Sequence, residues 1–174
     1  MKISTYQESD EVLYPKEDIV VVDAEDLKEL KRLALKNPRQ RVRLCAHRTP
    51  NDRLHEMFII HTKDCYVRPH KHIGKAESMA ILEGEVDVVL FNEDGSILRV
   101  IKMGDMNSGK LFYYRMSGPI YHSLFIRSQF LVFHECTEGP FLREQTFFPE
   151  WAPKENDPEV QKFIDRMASL IKEI

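Results

Sequence analysis

The sequence predicts a mainly β protein, an antiparallel sandwich or barrel of the jelly-roll type, with a short helical addition at each end. Three observations carry this. From residue 41 to about 148 the chain breaks into eight short β-like runs: RVRLCAH, HEMFIIHT, ESMAILEG, EVDVVLFN, ILRVIKM, LFYYRM, YHSLFI and QFLVFHEC. Turn signals separate them, among them Asn92-Glu-Asp-Gly95 and Gly118-Pro119. Between them no helical pattern of roughly ten or more residues occurs, as a βαβ crossover would need, so the strands pair antiparallel.

The elements follow in chain order. Residues 18–22, DIVVV, read as a short strand. Asp23 stands as N-cap before a helix over 24–37, with Asp26 three residues on as a partial capping box. Its apolar face is Leu27, Leu30, Leu33 and Ala34, and Pro38 cannot continue it. After the strands, Gly139-Pro-Phe-Leu and Pro149-Glu-Trp-Ala-Pro153 read as a cap across a barrel end or a subunit contact. Asp157 and Pro158 then open a terminal helix with Val160, Phe163, Ile164, Met167 and Ile171 on one stripe, which the barrel or a second subunit must cover. The chain thus divides into an extension at 1–40, a barrel at 41–153 and a helix at 154–174.

A length of 174 residues suits one domain of ~100 to 200. With 43% hydrophobic and 30% charged residues the chain can bury a core. Its 25 Lys and Arg against 28 Asp and Glu give a net charge of −3, so no positive field exists for nucleic acid or an anionic membrane surface. Three cysteines, with no C-x-x-C pair, fit a reducing compartment, and no run approaches the ~18 apolar residues of a membrane span. The expectation is a cytoplasmic protein.

The chemistry concentrates in Arg68-Pro-His-Lys-His72-Ile-Gly-Lys-Ala-Glu77-Ser-Met-Ala-Ile-Leu-Glu-Gly84. On an extended chain His70 and His72 project to one face, and a short turn can bring Glu77 onto it. Two imidazoles and a carboxylate suit zinc, iron, nickel or manganese. The plain alternative is a polar loop edge rich in Pro, Lys and Gly.

The spacing H-x-H-x4-E-x6-G, here His70, His72, Glu77 and Gly84, resembles the first motif of the cupin superfamily. That resemblance implies a small antiparallel β-barrel with inward ligands and a further histidine downstream, for which His122 in Gly118-Pro-Ile-Tyr-His122 is the counterpart. It also implies one divalent transition metal held by His70, His72, Glu77 and His122. A closer likeness covers most of 37–153. Asn37-Pro-Arg-Gln-Arg-Val-Arg-Leu-Cys-Ala-His47, Tyr66-Val-Arg-Pro-His-Lys-His72, Glu83-Gly-Glu-Val-Asp-Val-Val-Leu-Phe91, Phe133-His-Glu135, Gly139-Pro-Phe141 and Trp151-Ala-Pro153 look like the WbuC family of cupin-fold metalloproteins. The likeness implies genomic company with surface-polysaccharide genes, and no particular reaction.

Other residues carry two readings each. Arg41, Arg43, Cys45 and His47 alternate with Val42, Leu44 and Ala46, as a solvated strand face or dimer salt-bridge row does; the functional reading makes Arg43, with Arg41, a carboxylate or phosphate clamp at the barrel mouth. Nothing in the sequence lowers the Cys45 pKa. In FLVFHEC, strict alternation with Phe130 and Val132 turns His134 inward, as an acid/base group or a structural hydrogen-bonder. Tyr113 and Arg115 precede His122 and are an acid/base and a substrate-binding candidate, or else barrel filler. His55 and His61 share a parity and read as structural. The leading expectation is a metal-dependent enzyme, an isomerase, lyase or dioxygenase, acting on a small polar molecule such as a sugar derivative, and a homodimer. The rivals are a non-catalytic ligand-binding module and an Fe(II) dioxygenase.

Overall fold

In a computed structural model describing residues 1–174, all eight runs are strands, and four more join them. The strands are β1 (Thr5–Ser9), β2 (Val12–Pro15), β3 (Arg41–Cys45), β4 (Leu54–Thr62), β5 (Lys71–His72), β6 (Glu77–Glu83), β7 (Glu85–Phe91), β8 (Ile97–Gly104), β9 (Tyr113–Met116), β10 (Tyr121–Ile126), β11 (Phe130–Glu138) and β12 (Thr146–Phe147). Helix α1 (Ala24–Lys36) follows β2, and α2 (Val160–Lys172) closes the chain. Asp23 caps α1 through the backbone N–H groups of Glu25 and Asp26, and the Asp26 carboxylate accepts from the Asp23 N–H in return.

The sheet order is β1-β2-β3-β4-β11-β6-β9, facing β10-β7-β8, with β5 paired to β12 and bridged to β10 at His70 and His122. Strands β4-β11-β6-β9 and β5-β10-β7-β8 therefore form two facing four-stranded layers between which the chain alternates except at the β7–β8 hairpin, which is jelly-roll topology. The chain is a mainly β jelly roll with two short flanking helices.

Three apolar clusters explain why so many strands are buried on both faces. Between the sheets lie Met57, Ile59, Met79, Val88, Leu124 and Phe133 with their neighbours. Outside the larger sheet, α1 sets Leu30 and Ala34 against Val42, Leu44, Ile60 and Val132. Outside the smaller sheet, α2 sets Phe163, Met167 and Ile171 against Val89, Phe91 and Phe125. The α2 stripe is thus covered by the barrel of its own chain. Trp151 joins that cluster, stacked near Phe163 and Phe91.

Two local readings are corrected. Residues 18–22 form no strand: β2 already occupies the free edge of β3, pairing parallel to it, so Val20 and Val22 pack on the α1 cluster instead. The terminal helix begins at Val160, with Asp157 accepting from the Glu159 N–H ahead of it. Gly84 turns the chain from β6 to β7 at φ 90°, where a side-chain carbon would meet the Phe130 carbonyl at 2.2 Å. No helix is long and apolar enough to cross a membrane.

Candidate metal centre

The His70-Lys-His72 segment is extended, so both rings lie on one side, and the 73–76 turn returns the chain to bring Glu77 to the start of β6. His122 arrives from β10 through the bridge to His70, whose two backbone hydrogen bonds are 2.9 and 3.1 Å long. Donor atoms of His70, His72 and His122 lie within 4.8 Å of one another. Glu77 closes the group: Oε1 stands 3.2 Å from His122 Nε2, and Oε2 3.6 Å from His72 Nε2.

The second nitrogen of each ring is already held. His70 Nδ1 is 2.8 Å from the Arg68 carbonyl, His122 Nδ1 3.0 Å from the Ile120 carbonyl, and His72 Nδ1 3.0 Å from Thr146 Oγ1. A carbonyl can only accept, so His70 and His122 donate from Nδ1 and keep a lone pair on Nε2, the arrangement that orients imidazole for a metal. Tyr114 donates its hydroxyl to Glu77 Oε1 at 3.1 Å. Burial pushes the His70 and His122 imidazoles down to about 4, with a neighbouring histidine acting in the same sense on each. They are neutral at pH 7 and need lose no proton to bind a cation. Three neutral imidazoles and a carboxylate fit a divalent transition metal.

These groups line one wall of a cavity of about 550 Å³ inside the barrel. The sequence reading assigned several of its other walls to the wrong face. His134 does not line it; its ring lies beside Phe58, 3.7 Å from Glu56 Oε1, on the outward face of β11. Phe130 and Val132, taken as the inward parity, pack under α1, so Leu131, Phe133 and Glu135 point inward. Burial raises the Glu135 carboxyl to about 8, the charge of Glu77 adds to this, and Arg43 opposes it. Tyr113 and Arg115 also face away: Tyr113 is exposed, Arg115 bonds Ser117 at 2.7 Å, and Tyr114 is the residue of β9 that lines the cavity.

Strand β3 likewise turns its polar face inward, because Val42 and Leu44 are claimed by α1. Arg41, Arg43, Cys45 and His47 line the cavity, as do His55 and His61. Arg41 is paired with Glu11 at 2.8 Å and Glu155 at 3.4 Å. Burial pushes the Cys45 thiol up to about 11, so it is no nucleophile at neutral pH. His47 and His55 stack with centroids 4.0 Å apart.

A protein-family model described as a domain of unknown function, DUF6016, matches residues 22–103. No curated protein matches the chain. Among solved structures, a Shewanella oneidensis protein, SO0799, superposes with a TM-score of 0.54 at 9% identity, over 74% of this chain and 85% of that one. Bacillus subtilis oxalate decarboxylase OxdC gives 0.48 at 16% identity, over 62% of this chain and 27% of its own, and Staphylococcus aureus CapF, a capsular polysaccharide assembling protein, 0.47 at 16%, over 57% and 29%. Mn(II) centres are described for the oxalate decarboxylase. The chain spans under a third of those two proteins, and at 9% identity the first likeness is one of fold alone.

Proposed function

We propose that the chain is a metal-binding cupin of the WbuC type, with one divalent transition metal held by His70, His72, Glu77 and His122, and that it acts as an enzyme on a small polar molecule such as a sugar derivative of surface-polysaccharide metabolism. The observation that carries the metal is the convergence of the three imidazoles within 4.8 Å, with Glu77 Oε1 3.2 Å from His122. When bound, such an ion supplies Lewis acidity to a ligand oxygen. The chain's own residues do the rest: Tyr114 holds the Glu77 carboxylate in place, and Glu135 offers, inside the cavity, a carboxyl whose pKa burial raises. A buried carboxyl with a raised pKa beside a donor cluster favours catalysis over passive clamping. The homodimer belongs to this reading, the outer strand β9 being the sheet edge to be covered.

The test is metal-dependent conversion of candidate sugar derivatives and keto acids by the metal-loaded chain. Conversion lost in Glu77→Ala supports the enzyme. Tight binding of a candidate without turnover supports the binding module instead.

A further inference from the structure

The cavity contains a cation that no side chain of the protein pairs with. The Arg43 guanidinium enters it from β3 and makes no hydrogen bond or ion pair; Nε is sealed from solvent without a partner. Of the other arginines of the cavity wall, Arg143 is likewise unpaired, but it comes from the 3-10 turn after β11 rather than from the sheet, and the remaining three are engaged. Arg39 and Arg41 pair with Glu11 and Glu155, and Arg68 donates to the carbonyls of Pro149 and Ala152. Around Arg43 stand Tyr14, Cys45, His47 and His61, all neutral at pH 7, since burial raises the first two groups and lowers the imidazoles, and Glu135, whose carboxyl burial raises and Arg43 draws down, with no ion pair formed between the two. Arg43 is partly buried, and a guanidinium donor sealed from solvent without a partner is disfavoured unless something outside the chain meets it.

We infer that the cavity binds a small organic carboxylate, whose carboxylate sits on the Arg43 guanidinium while its oxygen-bearing far end reaches the cluster of His70, His72, Glu77 and His122. The far end rests on the metal reading above; the carboxylate end does not. Strands β3 and β6 are separated by β4 and β11, three spacings of ~4.8 Å or ~14 Å between backbones, which the long arginine side chain shortens. A chain of about four to six carbons spans what is left, and 550 Å³ is a cavity for a molecule of that size. Glu135 lies on β11 between the two ends, its carboxyl without a hydrogen-bond partner in the protein. A single planar guanidinium fork matches a carboxylate. A phosphate group is ordinarily met by several cations or a row of backbone N–H groups, and on the sheet around Arg43 the neighbouring cations Arg39 and Arg41 are already paired with Glu11 and Glu155.

The experiment is calorimetric titration of the full chain loaded with Mn(II), using D-gluconate, neutral D-glucitol and inorganic phosphate as probes, with metal content measured on every sample. The inference predicts that gluconate binds about tenfold or more tightly than glucitol or phosphate, and that Arg43→Met weakens gluconate about 10- to 100-fold with metal content unchanged. Arg43→Lys restores part of the loss. Ligand-free Arg43→Met melts at or above the wild-type temperature, which separates a binding role from a structural one. Gluconate affinity equal in wild type and Arg43→Met, phosphate or glucitol binding as tightly, or no gluconate binding overturns the inference. If the wild type takes up no metal yet gluconate still depends on Arg43, the metal reading fails and the carboxylate seat stands.

Discussion

At Glu77, three groups meet one carboxylate: His122, His72 and the Tyr114 hydroxyl. The residues that hold a ligand in place matter nearly as much as the ligand, about 10- to 100-fold in affinity. Tyr114→Phe therefore weakens metal binding about tenfold without changing stoichiometry, and competition against a chelator of known affinity measures it; an unchanged constant removes Tyr114 from the support of the site. The histidine and glutamate spacing was legible in the sequence because it is local: parity along an extended segment and one short turn settle it. Arg43, Tyr114 and Glu135 were not legible, because each requires knowing which face of a strand is inward. Alternation gives two faces and does not label them. In β11 both faces are apolar, Val132 packing under α1 and Phe133 in the barrel, so choosing the face of Phe130 and Val132 selected His134 in place of Glu135.

The two helices are the elements that create this ambiguity, and they also stabilise the walls of the site. The amphipathic stripe of α1, read from Leu27, Leu30, Leu33 and Ala34, already required an apolar sheet surface outside the barrel; carried through, that requirement turns the polar face of β3 inward. Hairpin β1–β2 went unread because its alternation is weak and polar, and it is held by pairing with β3 rather than by its own sequence. Helix α2 presses Phe163, Met167 and Ile171 on the outer face of β7 and β10, the latter carrying His122. Phe163→Ala leaves a cavity in that cluster and lowers unfolding free energy by about 3 to 5 kcal/mol. Asp23→Ala, which removes the acceptor of the Glu25 and Asp26 N–H groups and leaves the Asp26 arm of the capping box, lowers it by about 1 kcal/mol. Urea unfolding of the two variants checks the order; a loss for Asp23→Ala exceeding that for Phe163→Ala contradicts this division of labour.

For the whole molecule, the consequence is a dependence on pH. Of the seven histidines, six have imidazoles lowered by burial, His61 to about 3 and His70 and His122 to about 4. Each stays neutral in the fold while the unfolded chain takes up a proton below its ordinary value of 6.5. At these six sites the unfolded state then binds more protons, so their contribution to stability is complete above pH 6.5 and falls as pH drops toward 4, by up to about 1.4 kcal/mol per unit for each fully titrating group, and they outnumber the single Glu135 carboxyl, whose raised pKa acts in the opposite sense. The metal-free chain should lose melting temperature steeply between pH 6.5 and 4.5, and His61→Gln should flatten that limb. Parallel wild-type and variant limbs would mean that His61 is protonated in the folded protein.

The central claim is that four side chains from β5, β6, β10 and the segment before β5 hold one cation inside the barrel. Elemental analysis of protein purified without nickel resin or chelator, then dialysed against Mn(II), Fe(II) or Zn(II), addresses it most directly. The account predicts about one transition-metal ion per chain, with affinity lowered about tenfold or more in His122→Ala and in Glu77→Ala. A wild type that retains no metal from any of these solutions, or variants that retain it undiminished, would contradict the account.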